Sequence, residues 1–281
     1  MKNVLSYYYN MTPSRFKRVG NNYHFKYEYN NYILYYFDSD INLEEIYNLS
    51  VMLIQNNVLV HQIIINKDNM LVTIVDNKKY VLLKPYKDNY LININDIYLF
   101  SNFVMGYDKV NWYKLWCDKI DYIEYQVNEF KTKYPLLKES VDYFIGLTEN
   151  AIMLLNDTKV NLVVSHKRVS KNSYDFYNPL NLAIDTRSRD IAEYYKNNMN
   201  INELKSSMMY LNSYEMLLVF IRVLYPSHYF DTYEDIINGI KKETEIKNVI
   251  NSIPKYEFFI KEVYLFITNY INVNIEWIKK I

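Results

Sequence analysis

The sequence predicts an α+β fold with two lobes: a small antiparallel sheet that carries one helix, and a larger, mostly helical part. Two observations predict it. Up to residue 86, β-branched and aromatic residues form short runs separated by polar turns, which is typical of strands. From residue 95 onward, apolar residues recur at helical spacing over long segments. We therefore assign residues 1–86 to an N-terminal sheet lobe and residues 87–281 to a C-terminal helical lobe.

The first predicted elements are two strands and a helix. The runs 23–29 and 32–37 flank Asn30-Asn31, so we expect a hairpin with a tight turn at these asparagines. Segment 43–54 has apolar residues at helical spacing, Asn42 as a candidate cap, and the carboxylates of Glu44 and Glu45 in its first turn. This segment is predicted to be an amphipathic helix.

The remaining elements follow from the same patterns. Three more strands are predicted at 61–65, 71–75 and 80–83, and Pro85 ends the sheet lobe at a hinge. The helical patterns cover 112–131, 136–156, 191–197, 201–225, 232–242 and 260–279. Among them lies an irregular stretch, 161–190, with two short apolar runs. In a helical lobe such a stretch is where we expect a functional site.

Composition excludes several classes of protein. Lys and Arg (32) balance Asp and Glu (32), so no net field attracts nucleic acid or an anionic membrane surface. The single cysteine, Cys117, excludes an internal disulfide framework and favours a cytoplasmic location. No apolar run approaches the roughly 20 residues that span a bilayer. The four glycines form no Gly-x-Gly pattern, although loops that wrap phosphates usually need one.

Two segments, SVDYFIGLTENA at 140–151 and RVLYPSHYFD at 222–231, resemble the spore-coat-associated kinase-like proteins of low-GC Gram-positive bacteria. The order of elements is similar to the wider superfamily of aminoglycoside phosphotransferases and choline kinases. The resemblance implies a bacterial protein with a two-lobed protein-kinase-like fold. For active members it also implies phosphoryl transfer from ATP with Mg²⁺.

The catalytic loop of such enzymes is degenerate here. In active relatives an apolar strand leads into His-Gly-Asp, whose Asp accepts the proton of the attacking hydroxyl, and an Asn five positions later binds metal. By this resemblance the corresponding residues are His166, Lys167, Arg168 and Ser173. A guanidinium cannot act as a base. We therefore interpret His166 as a core histidine that braces the loop rather than as a catalytic residue.

The metal-binding Asp of the family corresponds by resemblance to Asp185, at the end of the run Leu182-Ala183-Ile184. Asp175, followed by Phe176, is the alternative if the loop has been rebuilt. A third interpretation makes Asp185 a turn or capping residue. All three interpretations remain open from the sequence alone.

The sheet lobe lacks the phosphate-binding lysine of the family, because Tyr35 occupies its place. Glu44 or Glu45 would then have no lysine partner in a cofactor site. A carboxylate at the start of a helix more often interacts with the helix dipole. With the lysine, the glycines, the base and the second metal ligand absent, most parts that phosphoryl transfer needs are missing.

Four cations could form a binding site in place of the missing catalytic residues. In a kinase-like arrangement Lys167 and Arg168 would face Arg187 and Arg189, and guanidinium groups suit carboxylate or phosphate oxygens. An anion or partner site is one hypothesis. The other is that Arg187 and Arg189 pair with nearby carboxylates, each pair contributing about 0–1 kcal/mol.

The sequence thus predicts a catalytically inactive, kinase-like binding or scaffold module, which the resemblance associates with spore coat or envelope assembly. The alternative is an active ATP-dependent phosphotransferase with relocated catalytic residues. We expect no cofactor, or Mg²⁺ and ATP if the alternative holds. The expected partner is an unknown protein or a small anionic ligand rather than nucleic acid or a membrane, in the cytoplasm or associated with the spore.

Overall fold

The computed structural model describes residues 1–37, 42–130 and 132–280. The chain forms two compact units. The first contains Met1–Asn102 and His166–Ile184, and the second contains Phe103–Ser165 and Asp185–Ile281. The first unit therefore includes the predicted sheet lobe together with residues 87–102 and 166–184. The lobe boundary after residue 86 stays a prediction.

The described residues form nine strands and thirteen α-helices. The strands are β1 Phe16–Val19, β2 Asn22–Tyr27, β3 Asn30–Phe37, β4 Gln62–Ile64, β5 Thr73–Val75, β6 Lys78–Lys84, β7 Val104–Asp108, β8 Val160–His166 and β9 Leu182–Thr186. The helices are α1 Lys2–Tyr9, α2 Leu43–Gln55, α3 Ile94–Ser101, α4 Trp112–Phe130, α5 Pro135–Met153, α6 Ser173–Phe176, α7 Arg187–Asn198, α8 Ile201–Met208, α9 Ser213–Leu224, α10 Ser227–Ile237, α11 Ile246–Asn251, α12 Ile253–Ile267 and α13 Glu276–Lys280.

The first unit is built on an antiparallel sheet with the order β1-β2-β3-β6-β4, and β5 also pairs with β6. Side chains alternate between its two faces. On one face Leu5 of α1 packs with Phe25 and Leu34. On the other face Ile33 and Leu180 share a core, against which α2 packs. The predicted sheet with one helix is confirmed, whereas α1, β1 and α3 were not predicted.

The hairpin turn lies two residues earlier than predicted. Tyr27 pairs with Asn30 and Lys26 pairs with Asn31, so both asparagines belong to β3 and the turn is Glu28-Tyr29. Glu28 adopts the left-handed conformation (φ 52°) that the turn requires. This register places Phe25 opposite Tyr32, and their rings stack with centroids 5.6 Å apart. Packing of this aromatic pair is consistent with the observed register.

The second unit is mostly helical, as predicted, and also contains β7 paired antiparallel with β8. β7, β8 and β9 form a three-stranded sheet. Helix α9 is the centre of the core, because every residue from Glu215 to Leu224 is buried. In the part of the chain that the structure describes, no helix is both long and apolar enough to cross a membrane.

Several predicted helix boundaries were wrong. The pattern 201–225 is two helices, because Asn212 caps α9 in a capping box with Glu215. The pattern 260–279 is divided between α12 and α13. The pattern 232–242 overlaps α10, which begins at Ser227 and ends at Ile237. The stretch 161–190 is not irregular: it holds parts of β8 and α7, and all of α6 and β9. Lys131, the last residue of pattern 112–131, lies outside the described residues.

Candidate functional site

The first unit contains a groove between strand β3 and the loop that follows β8. Its volume is about 590 Å³. It is lined by Tyr35, Phe37, Lys167, Arg168, Ser170, Asp175, Asn178, Leu180 and Asn181. We call it the loop groove. It brings together Tyr35 and Arg168, the residues that the resemblance relates to the lysine and the base of the family pattern.

Asn181 holds Arg168 in this loop. The backbone N–H of Arg168 donates to Asn181 Oδ1 at 3.0 Å, and Asn181 Nδ2 donates back to the Arg168 carbonyl at 2.7 Å. The guanidinium donates to the carbonyl of Lys167 at 3.0 Å. Asn181 Nδ2 also lies 3.2 Å from the Asp175 carbonyl. A pair of reciprocal amide hydrogen bonds therefore fixes the backbone around a cation.

Lys167 is also tied to the end of the loop. Its backbone N–H donates to the Asn181 carbonyl at 2.7 Å, and its ammonium donates to the Leu180 carbonyl at 3.0 Å. Burial lowers the pKa of Lys167, because the charged form loses water contacts. Hydrogen bonds therefore hold both the backbone and the side chain of each of these two cations.

His166 is fully buried between aromatic rings. Its ring stacks on Phe176 with centroids 4.0 Å apart and meets Phe100 edge-on at 4.7 Å. Ser173 is buried as well, and its hydroxyl accepts the backbone N–H of Tyr90 at 3.0 Å. These contacts agree with the interpretation of His166 as a core residue that braces the loop.

The carboxylate of Asp175 is held by Asn172, whose Nδ2 donates to it at 2.6 Å. Asp175 lines the loop groove and also a second groove on the sheet. In the loop groove, burial and then the charge of Asp175 raise the pKa of Tyr35, so its phenol is neutral at pH 7. Tyr35 therefore cannot supply the positive charge of the lysine to which it corresponds by resemblance.

Glu44 and Glu45 lie exposed in the first turn of α2. Asn42 caps this helix as predicted: its Oδ1 accepts the Glu45 N–H at 3.4 Å, and its Nδ2 donates to Glu45 Oε1 at 2.8 Å. The contacts of Glu45 are those of a helix-starting carboxylate.

Asp185 lies in the second unit, where three donors surround its carboxylate. Oδ2 accepts the indole N–H of Trp112 at 2.9 Å and Nη1 of Arg189 at 2.6 Å, and Oδ1 accepts the Thr186 N–H at 2.7 Å. Its side chain is only 10% exposed. The arrangement is that of a buried ion pair that anchors an indole.

The other predicted cations of the second unit also have carboxylate partners. Arg187 forms a bidentate pair with Glu215, with distances of 2.8 Å and 2.6 Å. The charge of Asp185 and its hydrogen bond raise the pKa of Arg189, outweighing the larger single effect of burial, which lowers it. Lys167 and Arg168 belong to the first unit, so an anion site shared by all four cations stays a prediction.

Sequence reasoning missed three residues that organise these regions. Asn181 braces the loop, Trp112 donates to Asp185, and Glu215 both pairs with Arg187 and caps α9. The capping box at Asn212 and Glu215 has a sequence signature that could have identified one of them. No group of three or more His, Cys, Asp or Glu that could hold a metal ion occurs within the described ranges.

Comparison with known proteins gives the fold and the family. An aminoglycoside phosphotransferase from Alicyclobacillus acidocaldarius superimposes with a TM-score of 0.59 at 10% identity, covering 96% of this chain and 94% of that one. Spectinomycin phosphotransferase APH(9)-Ia, in complex with ADP and spectinomycin, gives a TM-score of 0.55 at 9% identity, covering 94% and 97%. The predicted kinase-like fold is confirmed.

Sequence comparison is more specific. The endospore coat-associated protein YutH of Bacillus subtilis (strain 168) is 25% identical over 271 residues, which cover 79% of each chain. The family model described as "Spore coat putative kinase YutH" matches residues 102–263, which is more than half of the chain. This protein therefore belongs to the YutH family of spore coat kinase-like proteins.

Proposed function

We propose that the protein is a catalytically inactive member of its family that acts as a binding or scaffold module in the spore coat. The single observation that carries this proposal is Arg168, held by Asn181 in the loop that corresponds by resemblance to the catalytic loop of active phosphotransferases. A guanidinium stays charged at any accessible pH and cannot accept the proton of an attacking hydroxyl. A cytoplasmic location is part of the proposal, because one cysteine gives no disulfide framework.

The residues present do not fit Mg²⁺ and ATP as a catalytic pair. A metal ion bound by Asp185 would have to displace the ion pair with Arg189 and the indole N–H of Trp112. Tyr35, neutral at pH 7, cannot pair with phosphates as a lysine does. We therefore derive no phosphoryl-transfer step for this chain.

One observation favours the alternative, an active phosphotransferase with relocated groups. The carboxylate of Asp175 lines the loop groove, in the same compact unit as Tyr35 and Arg168. A carboxylate there could accept a proton or bind a metal. This alternative makes Asp175 the essential residue.

Formation of ADP separates the two functions. With Mg-ATP and a panel of aminoglycosides, we expect the wild-type protein and Asp175→Asn to form ADP equally, at the rate of a no-protein control. Turnover above that rate which Asp175→Asn abolishes would establish the alternative. Asp88→Asn is the matched control, since Asp88 is a nearby carboxylate that does not line the loop groove.

The coat role needs a test in cells. In a strain that lacks the native gene, we expect a fluorescent fusion of the wild-type protein and of Asp175→Asn to assemble on the spore equally well. A fusion that stays dispersed in the cell throughout sporulation would contradict a coat function.

A further inference from the structure

We propose that a cation-lined groove beside strand β1 binds an acidic, extended segment of a partner protein. This inference rests on the binding-module proposal and names the chemistry of the partner. The groove is distinct from the loop groove except for Asp175, which lines both. We call it the β1 groove; its volume is about 860 Å³.

Three cations line the β1 groove: Arg15, Lys17 and Lys26. Lys17 pairs with His24 across β1 and β2, and the next pair along the strands is Phe16 with Phe25. Because side chains alternate along a strand, Lys26 lies on the same face of β2 as His24, the partner of Lys17. Arg15 directly precedes β1 and lines the same groove, so three positive charges meet there.

The chain itself supplies little compensation for these charges. Within residues 1–37, 42–130 and 132–280, none of the three side chains forms an ion pair, and all three are exposed. Like charges on neighbouring strands repel, which costs stability unless an anion is bound. Asp175 supplies one carboxylate to the groove. The groove is thus a positive region in a protein with no net charge.

The geometry of β1 favours a peptide over a small anion. β1 is the last strand of its sheet, and among the described residues its outer edge pairs with no other strand. Such an edge can accept an extended segment by backbone hydrogen bonds. A segment with acidic residues at alternate positions would then place its carboxylates on the groove face, beside Arg15 and Lys17.

The cations of β1 have a second possible role, protection of the edge strand from other chains, and this role predicts that no peptide binds. Lys and Arg on an edge strand also prevent pairing with other chains. If Lys17 and Arg18 serve only that purpose, an acidic strand-forming peptide will not bind. The two roles therefore differ in one measurable property, affinity for such a peptide.

The test uses a fluorescein-labelled peptide of alternating Glu and Thr, with fluorescence anisotropy as the readout. We expect the full-length protein to bind it, and a peptide with Gln for Glu to bind at least about tenfold more weakly. The double variant Lys17→Glu/Lys26→Glu should lose about tenfold or more in affinity, and added salt should weaken binding of the wild type. Lys78→Glu, the same change at an exposed residue of β6 outside the groove, should bind like the wild type.

Two further probes decide between edge pairing and simple charge attraction. A Glu-Thr peptide with N-methyl groups on alternate backbone amides, where it would donate to β1, should bind at least about tenfold more weakly. Tripolyphosphate that binds while the peptide does not would overturn the proposal in favour of a small anion. Equal loss of affinity in Lys78→Glu and in the double variant would also overturn it. If circular dichroism shows that the double variant is unfolded, Lys17→Gln replaces it, with an expected loss of about threefold.

Failure of this inference differs from failure of the proposed function. If the peptide does not bind and ADP forms only at the background rate, the proposed role of the β1 groove is wrong. The proposal of a catalytically inactive module then still stands. If ADP forms above background and its formation depends on Asp175, the proposal that the protein is inactive is wrong, whether or not the peptide binds.

Discussion

The carboxylate of Asp185 accepts hydrogen bonds from the backbone, from an indole and from the guanidinium of Arg189. Arg189 is itself largely buried, with a side chain only 14% exposed. Removal of Asp185 would take from this buried guanidinium the carboxylate that raises its pKa most, and loss of one partner from a buried ion pair is strongly destabilising. The residue that a family resemblance identifies as a metal ligand therefore acts in this chain as a structural anchor.

We expect Asp185→Ala to lower the free energy of unfolding by about 3–5 kcal/mol, because it leaves the Arg189 charge buried and the Trp112 indole N–H without its acceptor. Urea unfolding followed by circular dichroism measures this change. Asp157→Ala is the matched control: Asp157 pairs with Lys109 at the exposed surface, and its loss should leave the stability nearly unchanged. Equal stability of the wild type and Asp185→Ala would contradict the anchoring role.

The role of an individual residue was predictable where the chemistry of its side chain alone decides that role. A guanidinium cannot accept a proton in any conformation, so the prediction that Arg168 is not a base depends on its chemistry alone. The partners of Asp185 were not predictable, because Trp112 lies 73 positions away and tertiary packing brings the two side chains together. Contacts of this kind leave no local pattern in the sequence.

Helices α7, α9 and α10 are joined by a buried network of charges. Glu193 of α7 accepts from Arg222 of α9 at 2.7 Å and from Ser227 of α10 at 2.8 Å. Lys196 of α7 donates to Glu193 at 3.1 Å and to the Tyr225 carbonyl at 2.7 Å. A single carboxylate thus connects three helices of the second unit.

This network predicts a loss of stability in acid. Burial alone would raise the pKa of Glu193, but the charges of Lys196 and Arg222 and the Ser227 hydrogen bond lower it to about 2. The folded pKa is lower than the ordinary value of 4.5, so the stabilisation is present above pH 4.5 and is lost as pH falls toward 2. The full contribution is on the order of 3 kcal/mol.

We expect Glu193→Gln to destabilise the protein by about 3–5 kcal/mol at pH 7, because two buried cations lose their counter-charge. The difference from the wild type should shrink as pH falls below 4.5, since the wild-type carboxylate then takes up a proton. Denaturant unfolding at a series of pH values measures it. Glu262→Gln, which removes a partly exposed pair with Lys205, should change stability by only about 0–1 kcal/mol. A difference independent of pH would contradict the electrostatic account.

Elements with a strong local pattern were predicted, and elements that depend on partners were missed. The cap at Asn42 and the strand β6 could be predicted, because helix caps and strand patterns depend on residues that are close in sequence. β7 was missed because all five of its residues are exposed and so show no alternation of apolar and polar residues. The division of 201–225 was missed because its apolar periodicity continues through the break at 209–212.

At the scale of the whole molecule, the kinase-like fold is shown, whereas the loss of catalytic residues stays part of our proposal. Fold was predictable because it depends on the pattern of apolar residues along the entire chain. Function was not, since one fold supports different activities and only specific side chains decide among them. A ligand that binds the folded state raises its stability by mass action, so nucleotide binding can be measured on the intact protein.

We expect millimolar Mg-ATP to shift the melting temperature by less than about 1 °C, because Tyr35 of the loop groove corresponds by resemblance to the phosphate-binding lysine and the sequence has no Gly-x-Gly pattern. A ligand present at 100 times its Kd would add about 2.7 kcal/mol, which corresponds to about 5–10 °C for a chain of this size. Differential scanning fluorimetry resolves the two outcomes. Spectinomycin phosphotransferase with ADP, a pair known to form a complex, serves as the positive control. A dose-dependent shift of several degrees that Asp175→Asn removes and Asp88→Asn retains would show that a nucleotide site persists at Asp175, and the inactive-module proposal would then fail.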